Sequence, residues 1–252
     1  LAVPVFLGDS LQWSQQPGLL GSQGLTVPTG DDGLLFGDLT FPDRLLDDAG
    51  RFDELVTRLS DLASTRRRGS PVPSLKAVFS QFAVHPDDQA TLTDTFALMC
   101  QLYDSGRDHI WGYYVRNLAR PLWLTRPENK VNVLVGNPPW LSYRFMPPEM
   151  QQRFKQETQE RGMWAGAKVA THQDLSAYFV ARTAELYLEP GGGFGFVMPY
   201  AVLSRLAYEG FRTGDLHTPN EGTRLTFAEP WDLHQVKPDP FPVPCAVVFG
   251  QN

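Results

Sequence analysis

One stretch in the middle of the chain joins a short apolar run to a stiff, polar turn. The run Val131–Gly136 is rich in β-branched residues and ends in Gly, which is typical of a buried strand in a parallel sheet. The turn Asn137-Pro138-Pro139-Trp140 follows directly. Its two prolines fix φ twice and remove two N–H donors, so carbonyls of the turn point outward without local partners. Because ligands of parallel sheets bind beyond the carboxyl ends of the strands, we expect a binding site at this turn.

The turn combines groups that suit one kind of ligand. Asn137 contributes a side-chain carbonyl, and Trp140 contributes a large π face. Two hydrogen-bond acceptors beside a stacking platform are what an exocyclic amine on a planar base requires. The alternative is a Pro-rich turn with a Trp in the core. The Asn in front of the prolines and the strand before it favour a functional site.

Asn-Pro-Pro-aromatic after a strand resembles the catalytic motif of the amino-methyltransferases that act on DNA, above all the adenine-N6 class. The resemblance implies an α/β fold with the Rossmann-like methyltransferase sheet, and S-adenosylmethionine as cofactor. It makes Asn137, Pro138, Pro139 and Trp140 the catalytic residues, with Asn137 also facing the cofactor. The implied partner is double-stranded DNA with its target adenine flipped out of the helix. Tyr is the more usual residue at the position of Trp140.

A second point of resemblance lies at the start of the chain. Residues 4–7 predict a strand, and Gly8, Asp9 and Ser10 follow it. In the family, an acidic residue after the third sheet strand accepts a hydrogen bond from the adenine amine of S-adenosylmethionine. Asp9 matches that position, so Asp9 and Ser10 are predicted to bind the cofactor. A turn-forming Asp is the alternative.

A third point of resemblance begins at Asp174, which is predicted to cap the N-terminus of a helix that runs through Leu188. The Gly-rich residues 191–195 then lead from this helix into a strand ending at Pro199. This order predicts a helix C-cap and turn rather than a phosphate-binding loop. The segment resembles the family's helix–Pro-Gly-Gly–strand region, and Asp174 is taken as a further cofactor-binding residue. The run at Cys245 resembles the hairpin strand that closes the family's sheet, with Cys245 buried.

The spacing of the motifs predicts the domain organisation. Residues 1–35 and 125–252 form a partial methyltransferase core, and residues 36–124 form a mainly helical insertion. Such a long insertion resembles the large fused methyltransferases of restriction–modification and phage-defence systems, which implies restriction or defence subunits as further partners. The family's glycine-rich cofactor loop and its first strands are expected to precede Leu1. We therefore expect a fragment of a longer protein that binds the cofactor weakly by itself.

Composition restricts the remaining functions. Two cysteines are too few for a disulfide framework or a metal site, so we expect no metal and a reducing, cytoplasmic setting. No stretch is apolar enough to predict a membrane span. The formal net charge of -6 is unusual for a DNA enzyme. DNA binding then depends on a local basic surface, or on a region outside this chain.

Two alternatives remain open. Asn-Pro-Pro-aromatic also serves protein-glutamine and RNA N-methyltransferases, although the long insertion argues against them. The chain is otherwise a non-catalytic fragment that binds nucleic acid or a partner protein. The expected absence of the cofactor loop is the main support for this second alternative.

Overall fold

The structure is a computed structural model, and it describes residues 10–11, 24–27, 29, 37–106, 111–217, 223–238 and 241–252. The chain forms two compact units, Leu1–Leu124 and Thr125–Asn252. The second unit begins at Thr125, directly after the last residue of the predicted helical insertion. The grouping of residues 1–35 with a catalytic core stays a prediction.

The described part of the first unit combines one antiparallel strand pair with four helices. The strands are β1 (Leu25–Val27) and β2 (Leu39–Phe41). The helices are α1 (Ala49–Thr65), α2 (Lys76–Gln81), α3 (Pro86–Asp104) and α4 (Trp111–Leu124). Apolar side chains from both strands and all four helices share one core, so the mainly helical character predicted for residues 36–124 is observed.

The second unit contains a mixed sheet, a separate strand pair and three helices among its described residues. Its strands are β3 (Val131–Gly136), β4 (Leu188–Pro199), β5 (Asp215–Leu216), β6 (Thr223–Arg224), β7 (Thr226–Phe227), β8 (Trp231–Asp232) and β9 (Cys245–Gln251). Its helices are α5 (Pro148–Glu160), α6 (Leu175–Tyr187) and α7 (Glu209–Arg212). Short 3₁₀ turns lie between them, and two matter below: Tyr143–Phe145 and Leu206–Tyr208.

The order of the strands makes the fold mixed α/β. The five-stranded sheet runs β3-β4-β9-β7, and β8 also pairs with β9. β3 and β4 are parallel, whereas β9 is antiparallel to β4. One face of the sheet packs against α6 through Ala177, Val180, Ala181 and Ala184 of the helix and Phe194, Phe196 and Met198 of β4. Cys245 is buried at the start of β9, as predicted.

The burial predicted for β3 is wrong, although its strand and its parallel pairing are confirmed. Val133 is 61% exposed and Val135 is 78% exposed. No described strand pairs with the outer edge of β3. The valines line an open groove of about 570 Å³ with Gly193, Gly195 and Phe249. β-branched residues therefore predicted the strand correctly, but burial depends on neighbours that the local sequence does not specify.

The Gly-rich stretch also differs from its prediction. Helix α6 ends at Tyr187 with Leu188 as its C-cap, and β4 starts at once, so the glycines lie inside the strand. The pairing of β3 with β4 shifts register between Val131 and Val133. At Gly192 a Cβ atom would lie 2.7 Å from the Leu188 side chain and 3.0 Å from the Asn132 carbonyl. Glycine at 192 thus allows the close approach of β3 at this irregularity.

Helix α5 is anchored by a buried arginine at its C-terminal end. Arg161 is only 2% exposed. Its guanidinium donates to Glu157 Oε2 at 2.8 Å and to Glu185 Oε2 at 2.8 Å. The Tyr178 hydroxyl donates to the same Glu157 oxygen at 3.1 Å. These bonds join the C-terminal end of α5 to α6 and place it in the interior of the second unit. No described helix is both long and apolar enough to cross a membrane.

We predict that Arg161→Ala destabilises the second unit by about 3 kcal/mol, because it removes the buried cation that joins Glu157 to Glu185 and leaves them only their partly exposed partners Arg153 and Arg182. The measurement is the free energy of unfolding in urea. Arg224→Ala is the control, since its ion pair with Asp215 is exposed and should contribute less than about 1 kcal/mol. Equal effects of the two substitutions would contradict the structural role of Arg161.

Candidate functional site

The Asn137–Trp140 turn leaves the carboxyl end of β3. Asn137 and Pro139 are exposed, Pro138 is buried and Trp140 is half-buried. Among the described residues, the Asn137 side chain has no hydrogen-bond partner. Its amide oxygen and nitrogen are therefore available to a ligand.

Trp140 is held by the strand next to the turn and by a second aromatic ring. Its indole Nε1 donates to the Val197 carbonyl of β4 at 3.4 Å. The Phe241 ring lies 6.4 Å from the indole, centroid to centroid, at an interplanar angle of 44°. Sequence analysis missed Phe241. Its only signal was an aromatic residue in the Pro-rich segment before the closing strand.

The carboxyl end of β4 brings a further ring to the same edge of the sheet. Because β3 and β4 are parallel and Gly136 pairs with Phe196, the segments after both strands leave on the same side. Tyr200 follows β4 directly, and its ring lies 6.1 Å from that of His234. The Tyr200 amide donates to the Pro244 carbonyl at 3.0 Å, which ties this segment to the residues before β9.

Backbone hydrogen bonds join the chain after the turn to the start of helix α6. The Leu175 amide donates to the Leu141 carbonyl at 2.9 Å, and the Tyr143 amide donates to the Gln173 carbonyl at 2.9 Å. Between them, Ser142 and Asp174 form an isolated antiparallel bridge. The structure thus places two of the predicted site segments, the Asn137–Trp140 turn and Asp174, in one region.

Asp174 is the N-cap of α6, as predicted. Its Oδ1 accepts from the Ser176 amide at 2.9 Å and from the Ser176 hydroxyl, and its Oδ2 accepts from the Tyr208 hydroxyl at 2.7 Å. Burial raises the pKa of Asp174, although these donors oppose the shift. Burial and the Asp174 carboxylate hold the pKa of Tyr208 well above its ordinary value. Both carboxylate oxygens therefore have a structural use, and cofactor binding by Asp174 stays a prediction.

The remaining predicted site residues are less informative. Asp9 lies outside the described residues, and Ser10 is a half-buried turn residue of the first unit. Their cofactor contacts stay predictions. Within the described ranges, no group of three or more His, Cys, Asp or Glu side chains is arranged to hold a metal ion.

Comparison with known proteins gives no independent assignment. No protein-family model matches the chain, and no curated protein matches it. Functional inference therefore depends on the sequence motif and on the geometry of the second unit.

We predict that Asp174→Ala destabilises the second unit by about 1–2 kcal/mol, because the first turn of α6 and the Tyr208 hydroxyl lose their acceptor.

Asp174→Asn keeps one acceptor and removes the titration. Because the folded pKa of Asp174 is raised, the folded protein binds this proton more tightly than the unfolded chain. The stability of the wild type relative to Asp174→Asn should thus be greatest in acid. It should fall as the pH rises from about 3.9 through the raised pKa.

Urea unfolding of the wild type and both variants across this pH range measures the effect. Asp48→Ala is the control. Asp48 is exposed, and it caps α1 by accepting a single hydrogen bond from the Arg51 amide. If the difference in unfolding free energy between the wild type and Asp174→Asn does not change with pH, Asp174 does not titrate as a buried carboxyl.

Proposed function

We propose that the protein transfers a methyl group from S-adenosylmethionine to N6 of adenine in DNA, as part of a restriction–modification or phage-defence system. One observation carries the proposal: the Asn137 amide is exposed and unpaired among the described residues, beside an anchored Trp140, where β3 ends. The Asn137 amide therefore needs no rearrangement within the protein to accept a hydrogen bond from a ligand, in contrast to the Asp174 carboxylate, which is already bonded.

The topology of the second unit supports the same proposal. Parallel strands β3 and β4 are joined through helices α5 and α6, and the antiparallel β9 follows in the sheet. We infer that this is the C-terminal part of a Rossmann-like methyltransferase sheet, in which β9 is the closing strand that the resemblance implies. The other strands of such a sheet would pair with the outer edge of β3, where none of the described strands pairs.

The chemistry assigned to the turn is the activation of a weak nucleophile. The lone pair of the adenine amine is delocalised into the ring, so the planar amine reacts slowly. Asn137 Oδ1 and the Pro138 carbonyl would accept its two hydrogens and favour a tetrahedral nitrogen whose lone pair points toward the methyl donor. When bound, S-adenosylmethionine supplies an electrophilic methyl group. The amine nitrogen would bond to that methyl carbon as the carbon–sulfur bond breaks, and the amine would then lose one proton to solvent.

The described residues fit this cofactor only in part. Asn137 is free to face it, whereas both oxygens of Asp174 are already bonded within the chain. Asp9 and Ser10 are proposed to hold its adenine end on the basis of the motif alone. The saturation of Asp174 favours one alternative, a non-catalytic domain that binds nucleic acid or a partner protein. The turn alone would equally serve a glutamine amide or an RNA amine, so the methylated product distinguishes these cases.

Trp140 is proposed as the stacking surface for the flipped base. The bond from its Nε1 to Val197 and the contact with Phe241 fix the plane of the indole before any ligand binds. A base stacked on an aromatic ring gains about 1–3 kcal/mol. Because the ring is already oriented, little of this gain is spent on ordering the side chain.

We predict that Asn137→Ala lowers the rate of methyl transfer by about 100- to 1000-fold, because one preorganised acceptor is removed. The measurement uses the protein that contains this chain, with labelled S-adenosylmethionine and duplex DNA. Circular dichroism should be unchanged, since Asn137 is exposed. Asn132→Ala is the matched control on the same strand, since the Asn132 amide already donates to Glu189. A normal rate for Asn137→Ala would overturn the catalytic assignment.

We predict a graded response at Trp140. Trp140→Ala removes the stacking surface and should weaken binding of duplex DNA with a flipped base by about 1–3 kcal/mol. Trp140→Phe keeps a smaller ring and loses the bond to Val197, so it should lie between the wild type and Trp140→Ala. Fluorescence of 2-aminopurine at the target position reports the stacked base. Identical signals from both variants would indicate that the indole does not contact the base.

A further inference from the structure

Two exposed pairs in the second unit each combine an arginine with a large apolar side chain. Arg144 and Phe145 belong to the 3₁₀ turn Tyr143–Phe145, and Arg205 and Leu206 lie at the start of the turn Leu206–Tyr208. Phe145 is 66% exposed and Leu206 is 60% exposed. The Arg144 guanidinium lies over the Phe145 ring, 4.5 Å from its centroid. Together we call these four residues the rim surface.

The two arginines of the rim surface differ from most arginines of this unit. Five others have carboxylate or carbonyl partners within the protein: Arg153, Arg161, Arg182, Arg212 and Arg224. In the part of the chain that the structure describes, neither Arg144 nor Arg205 has a carboxylate within 4.0 Å of its guanidinium. Their charges are therefore available to an external anion.

Both pairs are fixed to the same end of helix α6. The Tyr143 amide, next to Arg144, donates to the Gln173 carbonyl at 2.9 Å. The Tyr208 amide donates to the Arg205 carbonyl at 3.1 Å, and the Tyr208 hydroxyl donates to Asp174. Because Asp174 also lies against the chain that follows Trp140, both pairs border the candidate site. Their exposed apolar side chains are thus held in place by the backbone rather than carried on free loops.

We propose that the rim surface binds the DNA duplex on either side of the flipped base. Arginines match phosphates in charge and in bidentate geometry. Apolar side chains beside them can enter the stack where a base has left it. The second unit has twelve Lys and Arg residues against thirteen Asp and Glu residues, so local unpaired arginines, not net charge, must provide the attraction. The inference depends on the proposed function, because it takes the neighbouring turn to be the base site.

The choice of duplex DNA over an acidic peptide follows from the position of Arg144. Its guanidinium stacks on Phe145 and presents a planar apolar and cationic surface beside the turn proposed to receive a base. A base and its phosphate offer a stacking plane and a negative charge together. An acidic side chain offers the charge without an aromatic plane.

The test is fluorescence anisotropy of a labelled duplex, titrated with the protein that contains this chain over a range of salt concentrations. Arg144→Ala combined with Arg205→Ala should reduce the slope of log K against log salt by about two, one for each phosphate contact. The affinity at 0.1 M salt should fall at least about tenfold. Arg144→Lys combined with Arg205→Lys should restore the slope. Phe145→Ala combined with Leu206→Ala should weaken binding and leave the slope unchanged.

Arg224→Ala is the control, because Arg224 is exposed but already paired with Asp215. An unchanged slope and affinity for the double arginine variant would overturn the rim surface even if adenine is methylated. Tighter binding of poly-glutamate than of duplex DNA at equal salt would overturn it in favour of an acidic protein partner. If the arginine variants lose DNA binding but the wild type makes no methylated adenine, the result would support DNA binding by the rim surface and contradict the proposed function.

Discussion

The candidate site depends on the first turn of helix α6. The Leu175 amide and the Gln173 carbonyl form backbone hydrogen bonds with the chain after Trp140, and the Asp174 carboxylate accepts from Ser176 of the helix and from Tyr208. Leaving a buried polar group without its partner costs about 1–3 kcal/mol, so these bonds select one arrangement of three segments distant in sequence. The Asn137–Trp140 turn is stiff because of its prolines, but its surroundings are set by this helix end.

Polar side chains in the site divide into two kinds by their partners. The Asp174 carboxylate is saturated by donors from its own chain, whereas the Asn137 amide has no partner among the described residues. The same contrast separates Arg161, which is buried between two glutamates, from the exposed Arg144. An internally bonded Asp174 next to an open Asn137 amide at the carboxyl end of β3 is the arrangement that the proposed binding site requires.

Sequence predicted those features that local chemistry decides. β-branched residues and two prolines define the strand and turn at 131–140, and Asp174 caps its helix because a short acceptor side chain there satisfies exposed amides. Features that depend on distant contacts were missed. The exposure of Val135 depends on which strands pair beside it, and the position of Phe241 near Trp140 depends on the path of a Pro-rich segment. The local sequence specifies neither of these contacts.

The central claim is that the Asn137–Trp140 turn presents an adenine amine to a methyl donor. The most direct measurement incubates the protein that contains this chain with duplex DNA and labelled S-adenosylmethionine, and then identifies the methylated nucleoside by mass spectrometry after digestion. N6-methyladenine as the labelled product is the predicted result. A different methylated nucleoside, or DNA without label when the protein is folded and binds the cofactor, would contradict the claim.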